Sequence, residues 1–169
     1  MKRKITLLAA PVAIALFAAG CGGSSSPSSS SSGAYGSAML ASPSNGAAAT
    51  TKIGIANSPL GHIVVDSKGS TLYLFAKDKG SASTCYGACA SIWPAVTIKG
   101  KLAAGRGVPA GNLGMTKRTD GKAEVTYHGH PLYYYGGDTK RGDTNGEALN
   151  AFGAEWYVLA PSGTKIDRG

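Results

Sequence analysis

Two cysteines four residues apart, Cys85 and Cys89, and two histidines flanking a glycine, His128 and His130, are the side chains whose type and spacing could do chemistry. In an oxidising compartment the cysteines are expected to join in a disulfide. A regular helix holds Cβ atoms at i and i+4 about 5 to 6 Å apart, whereas a disulfide needs about 3.8 Å, so the bridge demands a distorted or partly unwound turn. As a structural staple it closes a tiny loop and contributes less than the roughly 3 kcal/mol of a 15-residue loop. As a strained bond it would instead be reducible, with a redox role. The two imidazoles could converge across a turn and hold copper or zinc with a thiolate or Tyr127, but zinc asks for three or four ligands and no CxxC or HExxH completes the set. His62 stands apart from them. The expectation is therefore no metal and no cofactor, with His128 and His130 as the only candidates to check.

Other constellations are thinner. Asp138, Asp143, Asn145 and Glu147 lie in GGDTKRGDTNGE, but Arg141 and Gly142 fall where a calcium loop needs oxygens. There is no GxSxG, no nucleophile with a motif-placed base and no phosphate-cradling loop, so no enzyme is expected. Asp78 and Asp138 each follow a candidate strand, where a carboxylate typically accepts backbone N–H groups of the next turn.

The elements that must position these residues are organised by a repeat. VDSKGSTLYLFAKD (65–78) aligns without a gap with VTYHGHPLYYYGGD (125–138), sixty residues on. They share Val, Gly, Leu, Tyr and Asp, and Phe75 meets Tyr135. Alternation and turn residues predict three short strands in each copy: around Ile53–Ile55, His62–Val65 and Thr71–Phe75, then Leu113–Arg118, Lys122–Tyr127 and Pro131–Tyr135. Asp120-Gly121 reads as a type I′ hairpin turn. Period-two alternation sets Tyr73 and Phe75 opposite Leu72 and Leu74, and Tyr133 and Tyr135 opposite Leu132 and Tyr134. The expected fold is mainly β: two three-stranded antiparallel meanders (about 53–98 and 113–161) packed about a pseudo-twofold axis into one small sandwich or barrel-like domain. Trp93 and Trp156 close the core, and one short helix lies near 85–92, capped by Thr84 and stopped by Pro94.

Residues 1–20 carry Lys2, Arg3 and Lys4, an apolar run too short to span a bilayer at about 20 residues, and small residues before Cys21. This is a secretory signal, and it resembles a bacterial lipoprotein signal in which Cys21 is lipidated, although Ala18 stands where leucine is usual. The alternative is ordinary signal-peptidase cleavage. Residues 22–51 are uncharged and rich in Ser, Gly and Ala, a tether expected to stay disordered with a reach of roughly 30 Å. Residues 52–169 form the expected folded domain. Loss of the signal leaves 14 basic against 9 acidic side chains. The cations are spread along the domain and read as a solvated surface, Arg118 and Arg141 among them. For an exported chain this favours anionic lipid or wall polymers as partners and argues against nucleic acid.

Tyr73-Leu-Phe75-Ala-Lys-Asp78 and Tyr133-Tyr-Tyr135-Gly-Gly-Asp138 both fit Y-x-[FWY]-x-x-D. With Cys85-x-x-x-Cys89-x-x-x-Trp93-Pro94 and Gly129-His130-Pro131-Leu132-Tyr133, they resemble the bacterial lipoproteins of the secreted repeat of unknown function. The resemblance covers about Gly61–Ser162 and implies an exported, often lipid-anchored repeat protein; it transfers no activity. The reading is thus an extracytoplasmic, lipid-anchored envelope protein with a non-enzymatic structural or binding domain, its partners the membrane lipid and an envelope polymer or protein. The alternative is an extracytoplasmic protein handling redox equivalents, copper, zinc or haem.

Overall fold

The computed structural model describes residues 49–168. The expected signal peptide, Cys21 and nearly all of the Ser-rich tether lie outside the described residues. Among the described residues nine strands and one short α-helix follow in order: β1 (Thr50–Ser58), β2 (Gly61–Asp66), β3 (Tyr73–Phe75), α1 (Ala88–Ile92), β4 (Lys101–Ala104), β5 (Leu113–Lys117), β6 (Ala123–Tyr127), β7 (His130–Pro131), β8 (Leu149–Ala151) and β9 (Ala154–Val158). They form three three-stranded sheets, ordered β2-β1-β4, β5-β6-β7 and β3-β9-β8. The fold is mainly β, as the alternation implied, and no barrel closes.

The second copy begins as the expected antiparallel meander, with β6 pairing both β5 and β7. The first copy starts the same way: Val65 bridges Thr71, and the Leu72 amide donates to Val64 O at 3.1 Å. There the simple meander ends. β3 pairs instead with β9 of the other copy, Tyr73 opposite Val158 and Phe75 opposite Trp156. The second copy does the converse, Tyr133 bridging Ala95 and the Tyr134 amide donating to Pro94 O at 2.8 Å. Residues 71–75 are buried without a break. A segment apolar on both faces cannot be covered by one three-stranded meander, which has only one dry face, so each copy's third strand seeks its cover in the other.

At the centre Tyr73 and Tyr133 pair with each other. Each amide donates to the other's carbonyl, at 2.9 and 3.0 Å. Equivalent residues exchanging both hydrogen bonds are what a local twofold axis requires of an antiparallel pair. The alternation along the third strands then sorts the interior into two clusters. Leu72, Leu74 and Leu132 join Ile53, Val64, Val96 and Val125 in a largely aliphatic one. Tyr73, Phe75, Tyr133, Trp93 and Trp156 make an aromatic one. Trp93 and Trp156 stack at 4.0 Å on the axis, with Phe75 stacked on Trp156 and Tyr135 on Trp93.

Turn chemistry differs from the sequence expectation in a definite way. Asp120 is not at positive φ, while Gly121 is at +82°. Arg118 and Lys122 close a three-residue loop, a type I turn with a glycine bulge in place of type I′. The type I′ signature, positive φ at both central positions, falls on His128-Gly129 (50° and 82°) and on Phe152-Gly153 (59° and 93°). Also unforeseen are β8 and β9, an antiparallel pair after the second aspartate, and β4, from the segment between the copies, which runs parallel to β1.

Gly146 has no room for a side chain: a Cβ there would lie 2.7 Å from the Trp93 ring and 2.9 Å from the Tyr73 ring. Gly146→Ala is expected to cost about 1 to 3 kcal/mol through overpacking. Trp156→Ala, which empties the centre of the stack, is expected to cost about 3 to 5 kcal/mol. Urea unfolding followed by tryptophan fluorescence measures the first, and circular dichroism the second.

Candidate functional site

The repeated tyrosines and aspartates meet crosswise. Tyr73 donates its hydroxyl to Asp138 Oδ2 at 2.7 Å, and Tyr133 donates to Asp78 Oδ2 at 2.7 Å. Each motif therefore supplies the donor for the other's acceptor. The other carboxylate oxygen does what the sequence implied and fastens the following turn: Asp78 Oδ1 accepts from Thr84 N (2.8 Å) and Thr84 Oγ1 (2.6 Å), and Asp138 Oδ1 from Asn145 N (3.0 Å) and Nδ2 (3.2 Å). Burial first, and then the hydrogen bond to Asp138, push the Tyr73 hydroxyl far above its ordinary range; burial does the same to Tyr133. Both stay protonated as donors at any ordinary pH. Burial also raises the Asp138 carboxyl. Phe75 and Tyr135 contribute rings to the aromatic stack.

The surroundings of the two crossings differ. Tyr73 Oη accepts from the Gly146 amide at 3.3 Å. Tyr133 Oη instead meets Ser83 Oγ at 2.7 Å, and Arg118 Nη1 donates to that same Ser83 oxygen at 2.6 Å. With Tyr133 committed as donor to Asp78, the polar chain runs Arg118 to Ser83 to Tyr133 to Asp78. Arg118 also donates to Glu124 Oε2 (2.9 Å) and to Cys85 O (2.7 Å), and stacks on Tyr86 at 4.3 Å. Far from being solvated, Arg118 is 4 % exposed and Glu124 fully buried. Alternation along β6 puts Glu124 on the face opposite Val125, and it is Ser83 and Cys85, from the first copy, that cover Arg118 there. No local pattern in the sequence marks this pair. Burial pushes the Glu124 carboxyl up to about 7 against the pull of Arg118, and its Oε1 has no partner.

Cys85 and Cys89 are joined, with Cα atoms 5.2 Å apart. The distortion demanded by i, i+4 spacing is present: α1 starts only at Ala88, after Gly87 at φ 56°, and Cys85 precedes it in non-helical chain. The helix is thus shorter than the expected 85–92. Thr84 does not cap it, its amide and hydroxyl both being taken by Asp78, while the helix ends at Ile92 with Trp93 as its C-cap, just ahead of Pro94, the expected stop. Both half-cystines are buried, at 1 % and 5 % exposure.

His128 and His130 sit on the β6–β7 turn and share a groove of about 620 Å³ with Leu74, Glu155, Tyr157 and Lys165. His62 lies at the exposed start of β2. Among the described residues no three His, Cys, Asp or Glu side chains are placed to hold a metal ion. In the acidic loop, Asp143 Oδ2 accepts from the Thr139 and Lys140 amides at 2.9 and 2.8 Å. Asp138 and Asp143 are thereby spent on their own backbone.

Two outcomes follow from this geometry. Tyr73→Phe and Tyr133→Phe each strand a carboxylate oxygen and are expected to cost about 1.5 to 3 kcal/mol in urea unfolding, the cost of a hydrogen bond to a charged group. Glu124, with its folded value above the ordinary 4.5, adds stability that is complete below pH 4.5 and lost as pH rises through about 7. Urea midpoints across that window should fall more steeply for the native chain than for Glu124→Gln.

No curated protein and no solved structure matches the chain. The family model described as the secreted repeat of unknown function matches it twice, over residues 54–97 and 114–160, one match for each copy. The crossed motif residues fall inside those two matches, and the chain belongs to the secreted-repeat family.

Proposed function

We propose that this is an exported, lipid-anchored envelope protein whose two-copy β domain serves as a non-enzymatic binding or structural module. The observation that carries this reading is the crossing of Tyr73 with Asp138 and Tyr133 with Asp78. The polar groups that define both motifs are turned inward and bonded to one another, which supports a framework role for them and leaves recognition to the surface. Membership of a secreted family supports the extracytoplasmic location. The anchor rests on the sequence: Cys21 after a short apolar signal, then an uncharged tether. Its partners on this reading are the membrane lipid, through the acyl group, and a polymer or protein of the envelope.

The competing redox reading draws on Cys85 and Cys89. Their burial weighs for the staple, because exchange needs a thiolate to reach a sulfur. A metal-handling role would need ligands beyond His128 and His130.

Labelling cells with a clickable palmitate analogue and fractionating them tests the anchor. The native chain is expected in the membrane fraction with label, and Cys21→Ala released without it. A Cys21→Ala chain that keeps both label and membrane association overturns the anchor. In the purified protein, Cys85→Ser with Cys89→Ser should lower stability by less than about 3 kcal/mol.

A further inference from the structure

Lys52, Lys68, Lys99, Arg106 and the adjacent Lys140 and Arg141 come from five separate stretches of the chain, and the fold gathers them around grooves that share lining residues. All six are exposed. Three grooves, of about 460, 370 and 310 Å³, adjoin there, and Lys68 lines all of them. Arg141 lines two, and so does Lys52.

The gathering is imposed by backbone contacts between the two copies. The Gly142 amide donates to Gly69 O at 3.1 Å, and Thr71 Oγ1 donates to Asp143 O at 2.6 Å. These clamp the 140–143 loop onto the 66–70 turn. Arg141 lies across Gly69, its Cγ 3.5 Å from where a Cβ on that glycine would be. Two cations, Lys68 and Arg141, are therefore held on one groove by bonds that do not involve their charges. None of the six is in an ion pair among the described residues. The acids that reach these grooves are already engaged: Asp66 accepts from the Lys68 and Ser70 amides and from Tyr134, and Asp138 from Tyr73 and Asn145. Those donors are neutral, so Asp66 and Asp138 keep their charge, but two carboxylates against six cations leave an excess of positive charge that raises the local concentration of anions in the concavity.

We infer that this face binds an extended phosphodiester polyanion of the cell envelope, the cations taking successive phosphates and hydroxyls such as Ser70, Thr97 and Thr139 meeting the units between them. A planar anionic bilayer would reach only the rims of such grooves. The exposed large apolar side chains Ile92, Met115 and Phe152, which could insert into lipid, line none of them. In a secreted protein the phosphodiester chain at hand is a wall or capsule polymer and not nucleic acid.

This inference rests on the envelope-binding reading and names its partner; it does not depend on the acyl group. The test uses the exported full chain carrying Cys21→Ser, so that the anchor and the polymer site can fail separately. The probes are poly(glycerol phosphate) and, in parallel, vesicles of phosphatidylglycerol in phosphatidylcholine. Expected is salt-sensitive binding to the polymer that weakens about 10-fold or more in Lys68→Ala with Arg141→Ala, counterion release and local potential both being lost. A charge-matched control, Lys79→Ala with Lys117→Ala, should change it less than about 2-fold, its cations lying outside the grooves. Thermal melting of both double variants confirms that they fold. Absence of polymer binding, equal loss in the two double variants, or binding to the vesicles alone would overturn the inference.

Discussion

The structure depends on one antiparallel contact, the pairing of Tyr73 with Tyr133. At a local twofold axis the two residues exchange backbone hydrogen bonds, and their side chains leave on the same face, into one aromatic cluster, each to reach the aspartate of the other copy. A tyrosine hydroxyl buried among aromatic rings is costly without a partner. Supplying that partner from the opposite copy makes the burial of each motif conditional on the presence of the other. Neither copy is complete alone, for polar satisfaction as much as for apolar cover.

The exchange of third strands follows from the same constraint. β3 on β9, and residues 133–135 on 93–95, place the two tryptophans face to face between Phe75 and Tyr135. Once that stack is fixed, the two copies can diverge elsewhere. The first carries the disulfide, whose Cys85 carbonyl is held by Arg118 of the second; the second carries the loop at 139–145 tied down by Asp138 and Asp143. Part of that divergence lies in the chain beyond each aspartate. There the inward oxygen is common to both copies, while the turn it fastens ends on Thr84 in one and on Asn145 in the other.

A consequence for recognition is that in this chain the repeated tyrosines and aspartates are spent on holding the two copies together. The flanking turns and loops are left to make a surface. In this chain the interlock sets the 66–70 turn of one copy against the 140–143 loop of the other, bringing together cations that are seventy residues apart or more.

The sequence by itself determined the duplication, the mainly β character, the two-sided character of the third strands and the break in helical geometry demanded by a cysteine pair at i, i+4. The duplication shows when two segments sixty residues apart are laid over each other; the others are local properties, carried by periodicity, turn residues or covalent geometry, and so are legible in a window of a dozen residues. Tertiary structure alone decided which strand pairs with which, that Arg118 and Glu124 are interior, and that Lys68 and Arg141 share a groove. Those outcomes arise from contacts between residues tens of positions apart. A charged side chain reads as solvated until the chain that covers it is in place, and a buried strand does not say in its own residues which copy will cover it.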